Sequence, residues 1–155
     1  MSVQKSLINV RDWEIDTVVG PSKAYILTIV ERKPGFVVTG KLPSRKAEDT
    51  NNRLKQILDK YAGRFKTITA DNGTEFHGYK AVEQSKKITF YFAQPYHSWE
   101  RGTNENTNGL IRQYLPKGTS MDDLSQHQCN AIADKLNSRP RKRHGFKTPN
   151  DIFYN

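Results

Sequence analysis

Cysteine is almost absent: Cys129 stands alone in 155 residues. A single thiol excludes an intramolecular disulfide framework and any zinc site built on cysteine pairs. Long apolar runs are missing as well. No stretch approaches the ~18 apolar residues that mark a membrane span, and Met1 to Arg11 carries no signal-peptide core. Acid is scarce relative to base, with 25 Lys and Arg against 16 Asp and Glu and a formal charge of +9. That excess points to a polyanionic partner, nucleic acid ahead of a membrane surface, with a merely solubilising surface as the alternative. No repeat, low-complexity tract or linker divides the chain, and its length suits one domain with a core of several strands and helices. The expectation from these exclusions is a soluble, cytoplasmic protein.

What is present has clear periodicity. Trp13 to Val19 alternates, with Trp13, Ile15, Thr17 and Val19 on one face and Glu14, Asp16 and Val18 on the other. Turns at Gly20-Pro21-Ser22 and Lys33-Pro34-Gly35 separate it from strands over Tyr25–Val30 and Phe36–Gly40, so an antiparallel meander is predicted. The period then changes. Leu54, Ile57, Leu58 and Tyr61 recur at helical spacing after Ser44, a candidate cap, and Gly63 ends that helix. A strand over Phe65–Ala70 follows, then a helix from Glu75 to about Lys86 with Thr74 as its cap. The apolar run Ile88–Phe92 reads as a buried strand. After a loop over Ala93–Arg101, helices are predicted over Thr103–Leu115, halted before Pro116, and over about Asp122–Ser138. Arg139 opens a basic tail. The order βββαβαβαα implies an α/β fold, a mixed five-stranded sheet flanked by helices.

Three acids fall at telling places in that order. Asp16 is mid-strand in the first strand, Asp71 ends the fourth strand at the Asp71-Asn72-Gly73 turn, and Glu105 lies in the helix after the loop. Glu105, Asn108 and Arg112 share one helical face, away from the apolar stripe of Leu110 and Ile111. An RNase H-like fold has this element order and carries acids at these three places. Two-metal phosphodiester chemistry needs hard oxygen ligands around a pair of ions about 3.5–4 Å apart, and three carboxylates on rigid elements supply them. Each acid also has a plainer explanation. Asp16 could be an exposed strand residue beside Glu14, Glu105 a helix-start acid favoured by the macrodipole, and Glu75, with the same position in its helix, is a rival to the site.

The chain resembles the catalytic core of a DDE transposase, most closely the insertion-sequence-30 family within the retroviral-integrase superfamily. The resemblance rests on Trp13-Glu14-Ile15-Asp16-Thr17-Val18, Ala70-Asp71-Asn72-Gly73-Thr74-Glu75-Phe76 and Tyr91-Phe92-Ala93-Gln94-Pro95-Tyr96. It continues through Trp99–Gly118, Asn137–Arg143 and Lys147-Thr148-Pro149. It implies that Asp16, Asp71 and Glu105 are the catalytic and metal-binding triad, with two Mg²⁺ or Mn²⁺ ions per site, and that Glu75 is a helix-start residue. It further implies DNA strand cleavage followed by strand transfer, DNA ends and target as partners, a homodimer or higher assembly in the full protein, and a bacterial, nucleoid-associated setting. Ile15 departs from the small residue usual in that family. Residues 1–155 are read as a single integrase/transposase catalytic core domain, with the N-terminal DNA-recognition domain of that family absent.

Arg139, Arg141, Lys142, Arg143 and Lys147 crowd positive charge near the C-terminal end and are expected to contact DNA phosphates near the catalytic residues. Tyr96, His97, Trp99 and Arg101, in the loop before the Glu105 helix, are candidates for base or scissile-strand contacts, with Arg112 and Lys117 as further phosphate contacts. Two rival functions are carried alongside: an RNase H-like nuclease acting on RNA–DNA hybrids, and a non-catalytic DNA-binding or dimerisation module.

Overall fold

The computed structural model describes residues 11–93 and 102–154. Five strands form one sheet in the order β3-β2-β1-β4-β5. They are β1 (Asp12–Val19), β2 (Tyr25–Glu31), β3 (Val37–Leu42), β4 (Thr67–Ala70) and β5 (Thr89–Phe92). The first three make the expected antiparallel meander, while β4 joins β1, and β5 joins β4, in parallel. The fold is α/β and RNase H-like, as the element order implied.

Period-2 alternation in β1 divides the core. Trp13 and Ile15 face a cluster with Leu27, Ile29 and Ile68, closed by Leu54, Ile57 and Leu58 of helix α1 (Ala47–Lys60) and Val82 of α2 (Tyr79–Lys86). Val18 faces the opposite cluster, where Ile111 of α3 (Gly102–Ile111) and Cys129, Ala133 and Leu136 of α4 (Gln126–Asn137) pack. Edge strand β3 is covered by amides from α4. Asn137 exchanges two hydrogen bonds with the Val37 backbone, at 2.8 and 2.9 Å, and Gln126 bonds Lys41 N at 2.7 Å and Thr39 O at 3.1 Å. These occupy polar groups that a bare edge would offer to another strand.

Several boundaries depart from expectation. The helix after Asp71 is two pieces, a 3₁₀ turn over Thr74–Phe76 and then α2, because Gly78 interrupts them; Gly73 rather than Thr74 takes the cap position. Ser44 does not take the cap position of α1, which falls to Lys46; its hydroxyl accepts from Lys46 N and donates to Asp49 in the first turn of the helix. The α3 helix stops at Ile111, four residues early, and α4 starts at Gln126 because Ser125 forms a capping box with Gln128.

The basic tail is also structured. Thr148 caps a fifth helix, α5 (Pro149–Phe153), through a capping box with Asp151, with Pro149 at its first turn. Phe153 is 2% exposed and stacks on Phe36 with centroids 3.8 Å apart. Burying such a ring contributes about 1.5–3 kcal/mol, enough to dock a short helix.

Candidate active site

Parallel pairing of β1 with β4 sets Trp13 opposite Ile68 and Glu14 opposite Thr69. Continuing that register two residues brings Asp71 level with Asp16, on strands about 4.8 Å apart. Asp16 lies on the side of the sheet that α3 covers, the face it shares with Glu14 and Val18. Asp71 comes just after the last residue of β4, and its Oδ1 accepts from Gly73 N at 2.8 Å, a local turn that holds the side chain beside the strand end.

The α3 helix runs along β1 through residues four apart. Asn104 N donates to Glu14 Oε1 at 3.1 Å, Asn108 Nδ2 donates to Asp16 Oδ2 at 3.1 Å, and Arg112 donates to Val19 O at 2.9 Å. Asp16 Oδ1 also accepts from Thr17 N at 2.8 Å. The buried Thr28 hydroxyl lies 3.2 Å from Asn108 Oδ1 and 3.3 Å from Asp16 O. With its oxygen against a hydroxyl, the Asn108 amide turns its NH₂ toward Asp16. Glu14 is not the exposed neighbour of Asp16 that strand alternation suggested. It is 0% exposed and ion-paired with Arg32 at 3.1 Å. Glu105 shares a helical flank with Asn108, one turn earlier, and is exposed. Among the described residues no three His, Cys, Asp or Glu side chains gather closely enough to hold a metal ion.

Glu75 stands in the first turn of the 3₁₀ segment, as expected of a helix-start acid, and does more there. It is 2% exposed, and its Oε2 accepts from Arg45 at 2.7 and 3.2 Å and from Thr17 Oγ1 at 2.9 Å. Burial alone would push its carboxyl up, but the bonds from Arg45 and Thr17 hold it below the usual carboxylate range. Glu75 thus ties β1, the segment before α1 and the turn after Asp71 together. A Cβ at Gly73 would land on Glu75 Oε1 and come within 2.9 Å of Asp71 Oδ1, so glycine is needed there for space, not for an unusual φ.

The candidate DNA contacts fall in different places. Trp99 and Arg101, with Tyr96 and His97, lie outside the described residues. Arg112 bonds Val19 O and Leu115 O and so fastens the end of α3. Lys117 is exposed. Arg139 bonds Tyr114 Oη at 2.8 Å and Gln113 at 3.2 Å. Arg141, Lys142 and Arg143 line a groove with Thr103, Asn106 and Leu110, the flank of α3 that faces away from Glu105 and Asn108. The basic cluster therefore adjoins the acid-bearing helix from its far side. Sequence reasoning overlooked Glu14, Arg45 and Asn104; only the four-residue spacing of Asn104, Asn108 and Arg112 carried a signal for the last.

A mixed five-stranded sheet, an aspartate within β1 beside another just past the end of β4, and an acid-bearing helix laid along β1 define an integrase-type catalytic-core architecture. A model of the integrase core domain matches residues 10–98, and the chain belongs to that family. It is 48% identical over 143 residues to the transposase for insertion sequence element IS4351 of Bacteroides fragilis, covering 92% of this chain and 44% of that protein. It is 39% identical over 142 residues to transposase InsI for insertion sequence element IS30A of Escherichia coli K12, covering 91% of this chain and 37% of that protein. The chain thus spans less than half the length of these relatives. The crystal structure of the catalytic core domain of BIV integrase superposes with a TM-score of 0.74 at 21% identity, over 94% of each chain. Among the described residues no helix is long and apolar enough to cross a membrane.

Proposed function

We propose that this chain is the catalytic core of a DNA transposase of the DDE type, with Asp16, Asp71 and Glu105 as its catalytic acids. The observation that supports the reading is the parallel β1–β4 register, which continued two residues beyond Glu14 and Thr69 would bring Asp16 and Asp71 level, with Asn108 of the Glu105 helix bonded to Asp16. The donor types suit the metal the family implies, since carboxylates are the hard oxygen ligands that Mg²⁺ or Mn²⁺ takes: Asp16 and Asp71 would hold it from neighbouring strands, and Glu105, exposed on α3 and not gathered with them in this structure, would have to swing in to complete the site. When bound, two such ions would supply Lewis acidity at the attacking and leaving oxygens.

The chain's own residues do the rest. Asn108 and Thr17 N fix the rotamer of Asp16, and the Asp71–Gly73 turn fixes Asp71, so these two carboxylates are held before the reacting complex forms. In the first step a water oxygen bonds to phosphorus and the P–O3′ bond breaks, freeing a 3′ hydroxyl. In the second, that hydroxyl oxygen bonds to a phosphorus of target DNA and displaces the target strand's own 3′ oxygen. Arg139, Lys117 and the loop residues Trp99 and Arg101 are assigned to DNA phosphates and bases around these steps. Joining two ends to one target calls for at least two copies, so a homodimer or larger assembly is part of the reading, as is a bacterial, nucleoid-associated setting.

The test compares three substrates with Mn²⁺: an RNA–DNA hybrid, a DNA duplex, and duplex DNA already cut to expose a 3′ hydroxyl. Joining of the pre-cut end to a second DNA supports the transposase. Cleavage confined to the hybrid would support a nuclease of the same fold, and salt-sensitive binding with no product would support a binding module.

A further inference from the structure

The segment Arg141–Lys147 closes on itself. Arg141 N donates to Lys147 O at 2.9 Å, and Phe146 N donates to Arg141 O at 2.8 Å. Inside the loop a 3₁₀ turn over Lys142–His144 ends at Gly145 with φ 61°. The loop is also moored to its surroundings, by the Arg141 guanidinium to Leu136 O at 2.8 Å and by His144 Nε2 to Pro34 O at 3.1 Å. It is a rigid presentation of whatever it carries.

What it carries is Phe146. Its φ of 69° is left-handed, costly for a residue with a Cβ, yet the residue is 69% exposed and gains little from burial. Earlier in the same loop, Arg141, Lys142 and Arg143 line the groove against the far flank of α3, a space of about 150 Å³. Among the described residues none of these three cations has a carboxylate partner within ion-pair distance. Burial and then the neighbouring Arg139 and Arg143 push the Arg141 guanidinium down, so the cluster repels itself and an anion would relieve it. The Arg143 guanidinium lies over Gly35, where a Cβ would come within 2.8 Å.

We propose that the Arg141–Lys147 loop is a second nucleic-acid site, on the side of α3 away from the acids, that takes a single-stranded segment. A backbone phosphate sits in the groove on Arg141, Lys142 and Arg143, and an unstacked base lies on the Phe146 ring. The choice of DNA as the strand rests on the reading under Proposed function; the preference for a single strand does not. A duplex keeps its base faces stacked away from such a ring, whereas a single strand offers both a π-face and a flexible backbone. One exposed ring in a basic loop is too small an apolar surface for a protein partner.

The probe is a labelled oligothymidine of about 12 nucleotides, titrated into the whole chain in EDTA at several salt concentrations, against a duplex of equal length. Single strand is expected to bind more tightly than duplex. Phe146→Ala should weaken single-strand binding about 10-fold without changing the salt slope, and Phe146→Tyr should restore it. Arg143→Gln should reduce the slope by about 0.7, the share of one single-strand phosphate. A 2-aminopurine base in the strand should lose emission on binding the parent protein and not on binding Phe146→Ala. Parent-like single-strand affinity and quenching in Phe146→Ala, with an unchanged melting temperature, would overturn the proposal, as would a duplex bound more tightly than the single strand. Because binding is read without metal, loss of the clamp with DNA joining intact refutes this site alone. Loss of joining with the clamp intact refutes only the transposase reading.

Discussion

Replacing Arg45 with alanine removes the guanidinium that donates at 2.7 and 3.2 Å to Glu75 Oε2. The carboxylate it leaves is 2% exposed, with the Thr17 hydroxyl at 2.9 Å as its side-chain donor. Breaking a fully buried pair from one side costs about 3–5 kcal/mol. The Arg45 side chain is 46% exposed, so water can enter the vacated place, and the expected cost falls to about 2 kcal/mol. That corresponds to a melting temperature roughly 4–8 °C lower for a domain of this size. The pH dependence is more diagnostic. Glu75 is held below its ordinary value in the native state, so it contributes stability above its unfolded pKa that is lost as pH falls through the folded one. Without Arg45, burial dominates and the folded pKa rises above the unfolded value; the variant then loses stability as pH rises through it. The gap between parent and variant should therefore be near zero at about pH 3 and widest near pH 7. Arg45→Ala/Glu75→Gln should recover part of the loss, with a coupling of about 1–2 kcal/mol. Urea melts at both pH values measure all four proteins. An additive cycle, or a gap that does not change with pH, would refute the account of Glu75 as a charge held in place by Arg45.

Asn108→Ala removes a bond to the Asp16 carboxylate and should cost about 1.5–3 kcal/mol, while Thr28 keeps Asp16 O as an acceptor; thermal melts measure the cost, and cleavage should fall with it. Glu31 is 0% exposed, its two carboxyl oxygens have no hydrogen-bond partner among the described residues, and burial, only partly offset by Arg64, pushes its pKa up to about 8. Its contribution is fully present below the unfolded value of 4.5 and is lost as pH rises through about 8. Glu31→Gln should thus match the parent near pH 4 and exceed it by about 1–4 kcal/mol above pH 8, as read from denaturant midpoints.

Sheet topology and the placing of Asp16 and Asp71 were legible because period-2 alternation and turn residues are local signals, and a strand end followed by Asn72-Gly73 has few other readings. The surroundings of the acids were less so. Glu14 and Asp16 alternate identically in sequence, yet Glu14 is buried against Arg32 and Asn104, partners distant in the chain. Glu75 looked like a helix-start acid because nothing near it in sequence announces Arg45, thirty residues away. Helix ends were misplaced where caps won over periodicity, as at Ser125 and Gln128. The α5 helix carried a readable signal in Thr148-Pro149-Asn150-Asp151, masked by the charge of the preceding run.

The most direct test of the central assignment is Mn²⁺-dependent cleavage of duplex DNA by Asp16→Asn, Asp71→Asn and Glu105→Gln, each beside its melting temperature and its metal-free DNA binding. The account predicts that all three lose product while folding and binding persist. Product at the parent level from any one of them, Glu105→Gln above all, would contradict it.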